Sequence, residues 1–412
     1  MSADRARSAL VASLVRDGRV RSPAVRAALE TVPRHLFLPG LSHGRAYDDA
    51  AVPIKVDDGV TVSSVSQPSM VAIMLEQLEA GPGQHVLEVG AGAGWNAALL
   101  ARLVGPDGAV TTLDIDDDLV AGARANLAAA GYDHVTVVTG DGALGYPPAA
   151  PYDRIELTVG STGIRPEWVE QLAPGGRLLL PLTVRGSQLS VAFDHTAPGR
   201  LSSRSVRSCA FVRLRGAGAD PGAEIALPGD GWRVQPACPD GGPDDGTDGT
   251  DGTAAVLVRA VAGEGTDRPA AAAGSGADLW DGLGLWCALA DPGTVRLFGP
   301  ATGPGPALFD LGRARAGLGL VAGEGCALLL ADPPATVRSC GPDGGTAAAR
   351  LTALVEGWVA AGRPHAADLR IEAVVPSLAP TADAAAAELV ATAGTELVDT
   401  AGTRLAVRWE PG

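Results

Sequence analysis

The sequence predicts an α/β protein: a mostly parallel, doubly wound sheet in residues 1–216, followed by an α+β domain in residues 217–412. Three observations carry that reading. Apolar runs of strand length alternate with helical patterns from His85 onward, the spacing that builds βαβ units. A glycine-rich turn follows directly on the first of those runs. Acidic residues stand at the ends of successive runs, on the carboxyl edge where doubly wound sheets take their ligands.

The elements follow in order. VASLVRDGRV and SPAVRAALETV read as short helices, and residues 38–66 as a long irregular stretch rich in Gly, Asp and Ser. PSMVAIMLEQLEA is a helix with Pro68 at its start, where a missing N–H costs nothing. HVLEVG, AVTTLDI, VTVVTGD and YDRIELTVG are strands, separated by the helices WNAALLARLVG and DDLVAGARANLAAAG. PEWVEQLA is a further helix, and GGRLLLPL, QLSVAFDH and CAFVRLRG close the set as strands. Past Gly216 the texture changes. CPDGGPDDGTDGTDGT carries five aspartates and no base, so 238–278 reads as a disordered insert. Order resumes with DLWDGLGLWCALA, the helix AAARLTALVEGWVAAG, the strand DLRIEAVVP, the helix TADAAAAELVATAG and the strand TRLAVRW. Trp280, Trp286 and Trp358 sit in apolar helical patterns and read as core.

Composition narrows the function classes. At 412 residues and 46% hydrophobic the chain can bury sizeable cores, built from Ala, Val and Leu because aromatics are only 4%. A net charge of −15 argues against non-specific binding to nucleic acid or an anionic membrane. No apolar run reaches the ~18 residues of a spanning helix, and no signal-peptide pattern is evident. Five cysteines without a CxxC argue against a disulfide framework or a metal site and for a reducing, cytoplasmic setting. A monomer is expected.

The chemistry concentrates in VLEVGAGAGWNAALLA. The chain turns through Gly90, Ala91, Gly92 and Gly94 and enters a helix whose free N–H groups favour a ligand. The third glycine falls one place early for a dinucleotide fingerprint, and Glu88 precedes the loop. That favours a nucleoside ligand without a pyrophosphate, such as S-adenosylmethionine, with Glu88 near its amino-acid end. Asp114 and Ile115, about twenty residues on, stand where a carboxylate meets ribose hydroxyls. Asp141 and Gly142, in GDG, are placed to meet an adenine amino group. Taken singly, the loop is also a structural turn, and each aspartate also fits a helix cap.

Residues 1–216 resemble the protein-L-isoaspartate O-methyltransferase family. The resemblance rests on TVPRHLFLPG, AYDDAAVPI, VSQPSMVAIMLEQL, VLEVGAGAGWNAALLA, GDGALGYPPAAPYDRIELT, EQLAPGGRLLLPL and CAFVRLRG, in the family's order. It implies a Rossmann-like methyltransferase that uses S-adenosyl-L-methionine to esterify a side-chain carboxylate. It places Ser66 at the active site, followed by Gln67, with Ser66 and Gln67 against the cofactor. Ser66 also suits a cap for the helix that follows. The chain departs from the family in VTVSSVSQP, where Ser63 and Ser64 are additional, and in its long C-terminal half. That combination is similar to actinobacterial homologues in gene clusters for ribosomally made peptides such as lanthipeptides, lasso peptides and graspetides. It implies a cyclised precursor peptide as partner, methylated on an aspartate that closes to an aspartimide and can open to isoaspartate. General repair of isoaspartyl damage is the alternative, and a non-catalytic cofactor-binding maturation partner is a third reading. Ser63 and Ser64 are expected to shape the pocket for the substrate. Arg204 and Arg207, in RLSSRSVRSCAFVRLRG, are candidates to attract an acidic peptide; the same arginines also fit a solvated strand face.

Overall fold

The computed structural model describes residues 2–219, 224–228, 231–238, 249–270, 275–300, 302, 308–310, 314–331, 334–379 and 395–410. Two units interleave along the chain. Met1–Thr183, Gln188–Asp220 and Arg370–Val407 make the first; Val184–Ser187, Pro221–Leu369 and Arg408–Gly412 make the second. The expected division at residue 216 is corrected accordingly: Arg370–Val407 returns to the first unit.

The first unit opens with helices α1 (Ala3–Arg16) and α2 (Pro23–Thr31). The Ser2 and Ser22 hydroxyls cap them, accepting from the Arg5 and Val25 amides. A short α3 (His43–Ala46) follows, then a hairpin of β1 (Val52–Asp57) and β2 (Val60–Val65). The sequence reading took this stretch for irregular loop. The missed signal is Asp58-Gly59 between β-branched runs; both residues have positive φ, 45° and 78°, as a tight hairpin turn requires. Helix α4 (Pro68–Leu78) leads to β3 (His85–Val89), α5 (Trp95–Val104), β4 (Ala109–Asp114), α6 (Asp117–Ala129), β5 (Thr136–Thr139) and β6 (Tyr152–Leu157). A one-turn α7 (Pro166–Glu170) precedes β7 (Leu172–Val184), β8 (Ser187–Ala197) and β9 (Arg200–Ser208).

Strands β5, β4, β3, β6 and β7 lie side by side and run parallel. The sheet continues through β8 and β9 to the strands Leu369–Val374, Thr403–Trp409 and Thr395–Thr400. The chain leaves β3 toward β4 on one side, and β6 lies on the other, so the switch of direction falls at the carboxyl ends of β3 and β6. Ligands bind at such a point in doubly wound sheets. The expected strand CAFVRLRG is instead an irregular segment; the strand is the arginine-bearing β9 before it. Cys209 and Leu214 are buried along this segment, so its apolar residues pack without joining a ladder.

The second unit holds an antiparallel sheet that includes Thr294–Pro300, Ala314–Ala322, Gly325–Leu330 and Thr336–Cys340. Leu328 packs with Val256 and Leu257 of helix Gly249–Val261, while Leu329 packs with Leu351 and Trp358 of helix Gly344–Ala360. Adjacent residues of one strand thus feed opposite faces. Helix Gly249–Val261 corrects the expected disordered insert, because its apolar residues Leu257 and Ala260 are fully buried. Residues 239–248 and 271–274 lie outside the described ones, as does the helix expected over 381–394. Trp358 is core, whereas Trp280 is 38% exposed. Among the described residues, no helix is long and apolar enough to cross a membrane.

Candidate active site

A cleft opens at the switch point. Val89, Gly90 and Gly92 form its floor, and Leu113, Asp114 and Ile115 its β4 side. Gly142, Thr158 and Val159 come from the neighbouring loops, and Val62, Ser63 and Ser64 of β2 form a wall. Val212–Arg215 contribute the remaining edge.

The glycines are there for space. Gly90 has φ +104, and a Cβ on it would stand 2.6 Å from the Thr158 hydroxyl. Gly92 has φ +50, and its Cβ would face the Ser64 carbonyl at 3.6 Å and the Ser63 hydroxyl at 3.8 Å. Gly94, with φ +90, caps α5; its Cβ would press on Leu127 and the Ala123 carbonyl of α6. The first two glycines therefore keep the cleft open, and the third lets two helices close up. Ala91 is buried, and its amide donates to the Leu113 carbonyl at 3.0 Å, tying the loop to β4.

Asp114 ends β4 with its carboxylate beside the loop. One oxygen accepts from the Gly92 amide at 3.0 Å and the other from the Asp116 amide at 3.4 Å. Burial raises its pKa, and the two backbone donors oppose that. Asp116 beside it is neutralised by Arg215 and by Lys55, whose ammonium lies 3.1 Å from Asp116 and 2.8 Å from Asp118. The hydrogen bond from Arg215 does most to hold the Asp116 pKa below its usual value. Lys55 thereby ties β1 to the start of α6.

Several expected ligand residues are placed elsewhere. Glu88 is fully buried in the sheet and does not line the cleft. It accepts from the Thr112 hydroxyl at 2.6 Å and from Asn96 Nδ2 at 2.8 Å; the same Asn96 nitrogen donates to buried Glu156 at 2.9 Å. Burial pushes the Glu88 carboxyl up to about 8 and the Glu156 carboxyl up to about 7. Both faces of β3 are covered, so every residue from Val86 to Val89 is buried, and Val89 and Gly90 at its carboxyl end line the cleft. Asp141 accepts from the Ala143 and Ala217 amides at 2.9 and 2.7 Å, and its neighbour Gly142 lines the cleft. Arg204 is exposed on β9 and Arg207 is half-buried there; the cleft-edge arginines are Arg213 and Arg215. Both belong to the same arginine-rich segment RLSSRSVRSCAFVRLRG.

Ser66 lies at the turn from β2 into α4, half-buried, two residues beyond the cleft wall. It is not the helix cap. The N-cap is Gln67, and the orphan α4 amide of Ser69 is met by Asp49 at 2.8 Å; Asp49 also accepts from Gln67 Nε2 at 3.2 Å. A distant carboxylate does the capping, which leaves the Ser66 hydroxyl without a hydrogen-bond partner among the described residues.

Comparison with known proteins decides what this cleft belongs to. The family described as protein-L-isoaspartate(D-aspartate) O-methyltransferase matches residues 5–218. The chain belongs to this family. A protein-L-isoaspartate O-methyltransferase of Methanopyrus kandleri is 46% identical over 213 residues, 52% of this chain and 92% of the relative. One of Hyperthermus butylicus is 43% identical over 219 residues, 51% of this chain and 89% of the relative. A solved structure titled protein-L-isoaspartate O-methyltransferase shares the fold with a TM-score of 0.50 at 20% identity, over 89% of this chain and 96% of its own. Protein-L-isoaspartate O-methyltransferases are carboxyl methyltransferases that use S-adenosyl-L-methionine, and that is the cofactor here. The cleft fits it: two glycines without Cβ clear the floor, and Asp114 presents an acceptor at the β4 end.

Proposed function

We propose that the chain methylates the side-chain carboxylate of isoaspartyl residues in proteins and peptides, the first step of their repair. The observation that carries this is the position of the cleft. It sits at the switch point, is built from residues within the family match, and is walled by the β2 segment that runs into Ser66. Bound cofactor supplies an electrophilic methyl group. Gly90, Gly92, Asp114, Ile115 and Gly142 hold it. The substrate carboxylate is ionised at neutral pH, with a reference pKa of ~4, so no general base is required and the protein's task is alignment. The Ser66 hydroxyl donates to that carboxylate and orients it.

A narrower reading has its own observation. Ser63 and Ser64, additional to the family pattern, lie on the cleft wall. They suit an ordinary aspartate of a cyclised precursor peptide, whose ester then closes to an aspartimide. The long C-terminal half does not favour this reading, because a solved structure titled as an isoaspartyl methyltransferase shares the fold over 89% of this chain. Methyl transfer to a generic isoaspartyl peptide, to its aspartyl isomer and to cyclised aspartyl peptides separates the two. Robust turnover of the isoaspartyl peptide alone supports repair; turnover confined to cyclised aspartyl peptides overturns it. Cofactor binding with no methyl transfer to any of them supports the non-catalytic reading. Ser66→Ala is expected to cut turnover at least tenfold with cofactor affinity nearly unchanged; unchanged turnover removes Ser66 from the mechanism.

A further inference from the structure

The motif TVPRHLFLPG carries a residue that the cleft does not use. Arg34 is fully buried, and among the described residues no carboxylate pairs with it. Its guanidinium instead donates to four backbone carbonyls: Ala46 at 2.9 Å, Ser66 at 3.0 Å, Ala50 at 3.4 Å and Val65 at 3.5 Å. Its flat face lies 4.3 Å from the ring centroid of Trp95, the residue that begins α5 directly after the glycine loop. One side chain therefore joins four segments: its own turn, the 46–50 loop, the β2–α4 turn and the head of α5.

A buried cation without a counter-ion is expensive unless its donors are met. Burial accordingly lowers the Arg34 pKa to about 9. An apolar side chain would fill the space but take the donor away from those carbonyls. What an arginine adds is a rigid fork of donors that fixes several carbonyls at once. Two of those carbonyls are consecutive, Val65 and Ser66. On the other side Asp49 holds Gln67 and Ser69. The backbone of Ser66 is thus clamped from both directions, and its hydroxyl carries no part of the clamp.

We infer that Arg34 is a positioning residue for methyl transfer, setting the Ser66 backbone against the glycine loop so that the Ser66 hydroxyl meets the substrate carboxylate in one orientation. This rests on the role of Ser66 proposed above. Arg34 touches neither substrate nor cofactor; it acts through Ser66 and through the seat of Trp95.

The test uses the full chain with Arg34→Lys, Arg34→Met, Ser66→Ala and the double variant Arg34→Met/Ser66→Ala. Each is measured for kcat and KM on an isoaspartyl peptide and for affinity to S-adenosyl-L-homocysteine. Arg34→Lys keeps the charge but cannot span the four carbonyls; kcat is expected to fall at least tenfold, with KM and cofactor affinity within about threefold. The double variant is expected to be no slower than the slower single variant, because residues acting as one unit are not additive. Multiplying losses in the double variant, or a kcat within twofold of wild type for both Arg34 variants, overturns the inference. Loss of cofactor affinity equal to the loss of kcat also overturns it, as does failure of both Arg34 variants to fold, which makes the residue structural. If Ser66→Ala keeps full turnover while Arg34→Lys does not, the reading of Ser66 falls. If wild type methylates no isoaspartyl peptide, the functional proposal falls first.

Discussion

Glu156→Gln tests the buried carboxyl pair. Glu88 is fully buried, Glu156 is 1% exposed, and both accept from one Asn96 nitrogen. Burial lifts Glu88 from 4.5 to about 8 and Glu156 from 4.5 to about 7. Across that range the folded chain holds protons that the unfolded chain has released. Stability is therefore fully present below about pH 4.5 and is lost as pH rises through the folded values. Each carboxyl titrating singly corresponds to roughly 3–5 kcal/mol at 1.36 kcal/mol per pH unit, and one proton shared between the two reduces the total. Glutamine cannot ionise. Its amide also has an acceptor waiting, because Asn96 Oδ1 is buried and without a partner among the described residues; a flip of the Asn96 amide presents it. The variant is expected to match wild type within about 1 kcal/mol at pH 5 and to exceed it by roughly 2 kcal/mol at pH 8. Urea unfolding from pH 5 to 8 measures this, with hydrogen exchange of the β3 and β6 amides assigning the transition to the first unit. Parallel stability curves for the two proteins would falsify the pairing.

Two further substitutions address the cleft. Asp114→Asn removes the charge from the acceptor at the β4 end, and affinity for S-adenosyl-L-homocysteine is expected to fall about tenfold or more, ~1.4 kcal/mol by titration calorimetry; an unchanged affinity removes Asp114 from the cofactor's contacts. Gly90→Ala places a Cβ 2.6 Å from the Thr158 hydroxyl at φ +104, and is expected to lower stability by about 2 kcal/mol in urea and to abolish cofactor binding. Wild-type behaviour in both assays would mean that the loop relaxes at no cost.

The parallel core and its switch point were legible because their signals are local: an apolar strand, a glycine turn and a helix within VLEVGAGAGWNAALLA. What stayed hidden depends on distance. Asp49 caps a helix that begins at Pro68, and nothing near Ser66 announces it. The surroundings of Glu88 were not legible because they come from Thr112 of the neighbouring strand and Asn96 of the following helix, which the fold brings to it. The arginine-rich segment was legible, but which of its arginines reach the cleft was not: Arg213 and Arg215 do so because the 212–214 backbone bridges to Gly160 just beyond β6. The β1–β2 hairpin was legible in principle from Asp58-Gly59 and was overlooked among polar residues.

The return of Arg370–Val407 to the first sheet bears on how the chain is made. Strand Leu369–Val374 pairs antiparallel with β9, Glu372 opposite Ser202, and the Ser203 hydroxyl accepts from the Ile371 amide at 2.8 Å. On the ribosome β9 emerges long before its partner, since Pro221–Leu369 intervenes. At 5–20 residues per second the delay is roughly 10–30 s. Throughout that interval β9 presents an open edge, the kind that recruits strands from other chains. β9 carries Arg200, Ser202, Arg204 and Arg207, polar and cationic residues of the kind that blunt an exposed edge.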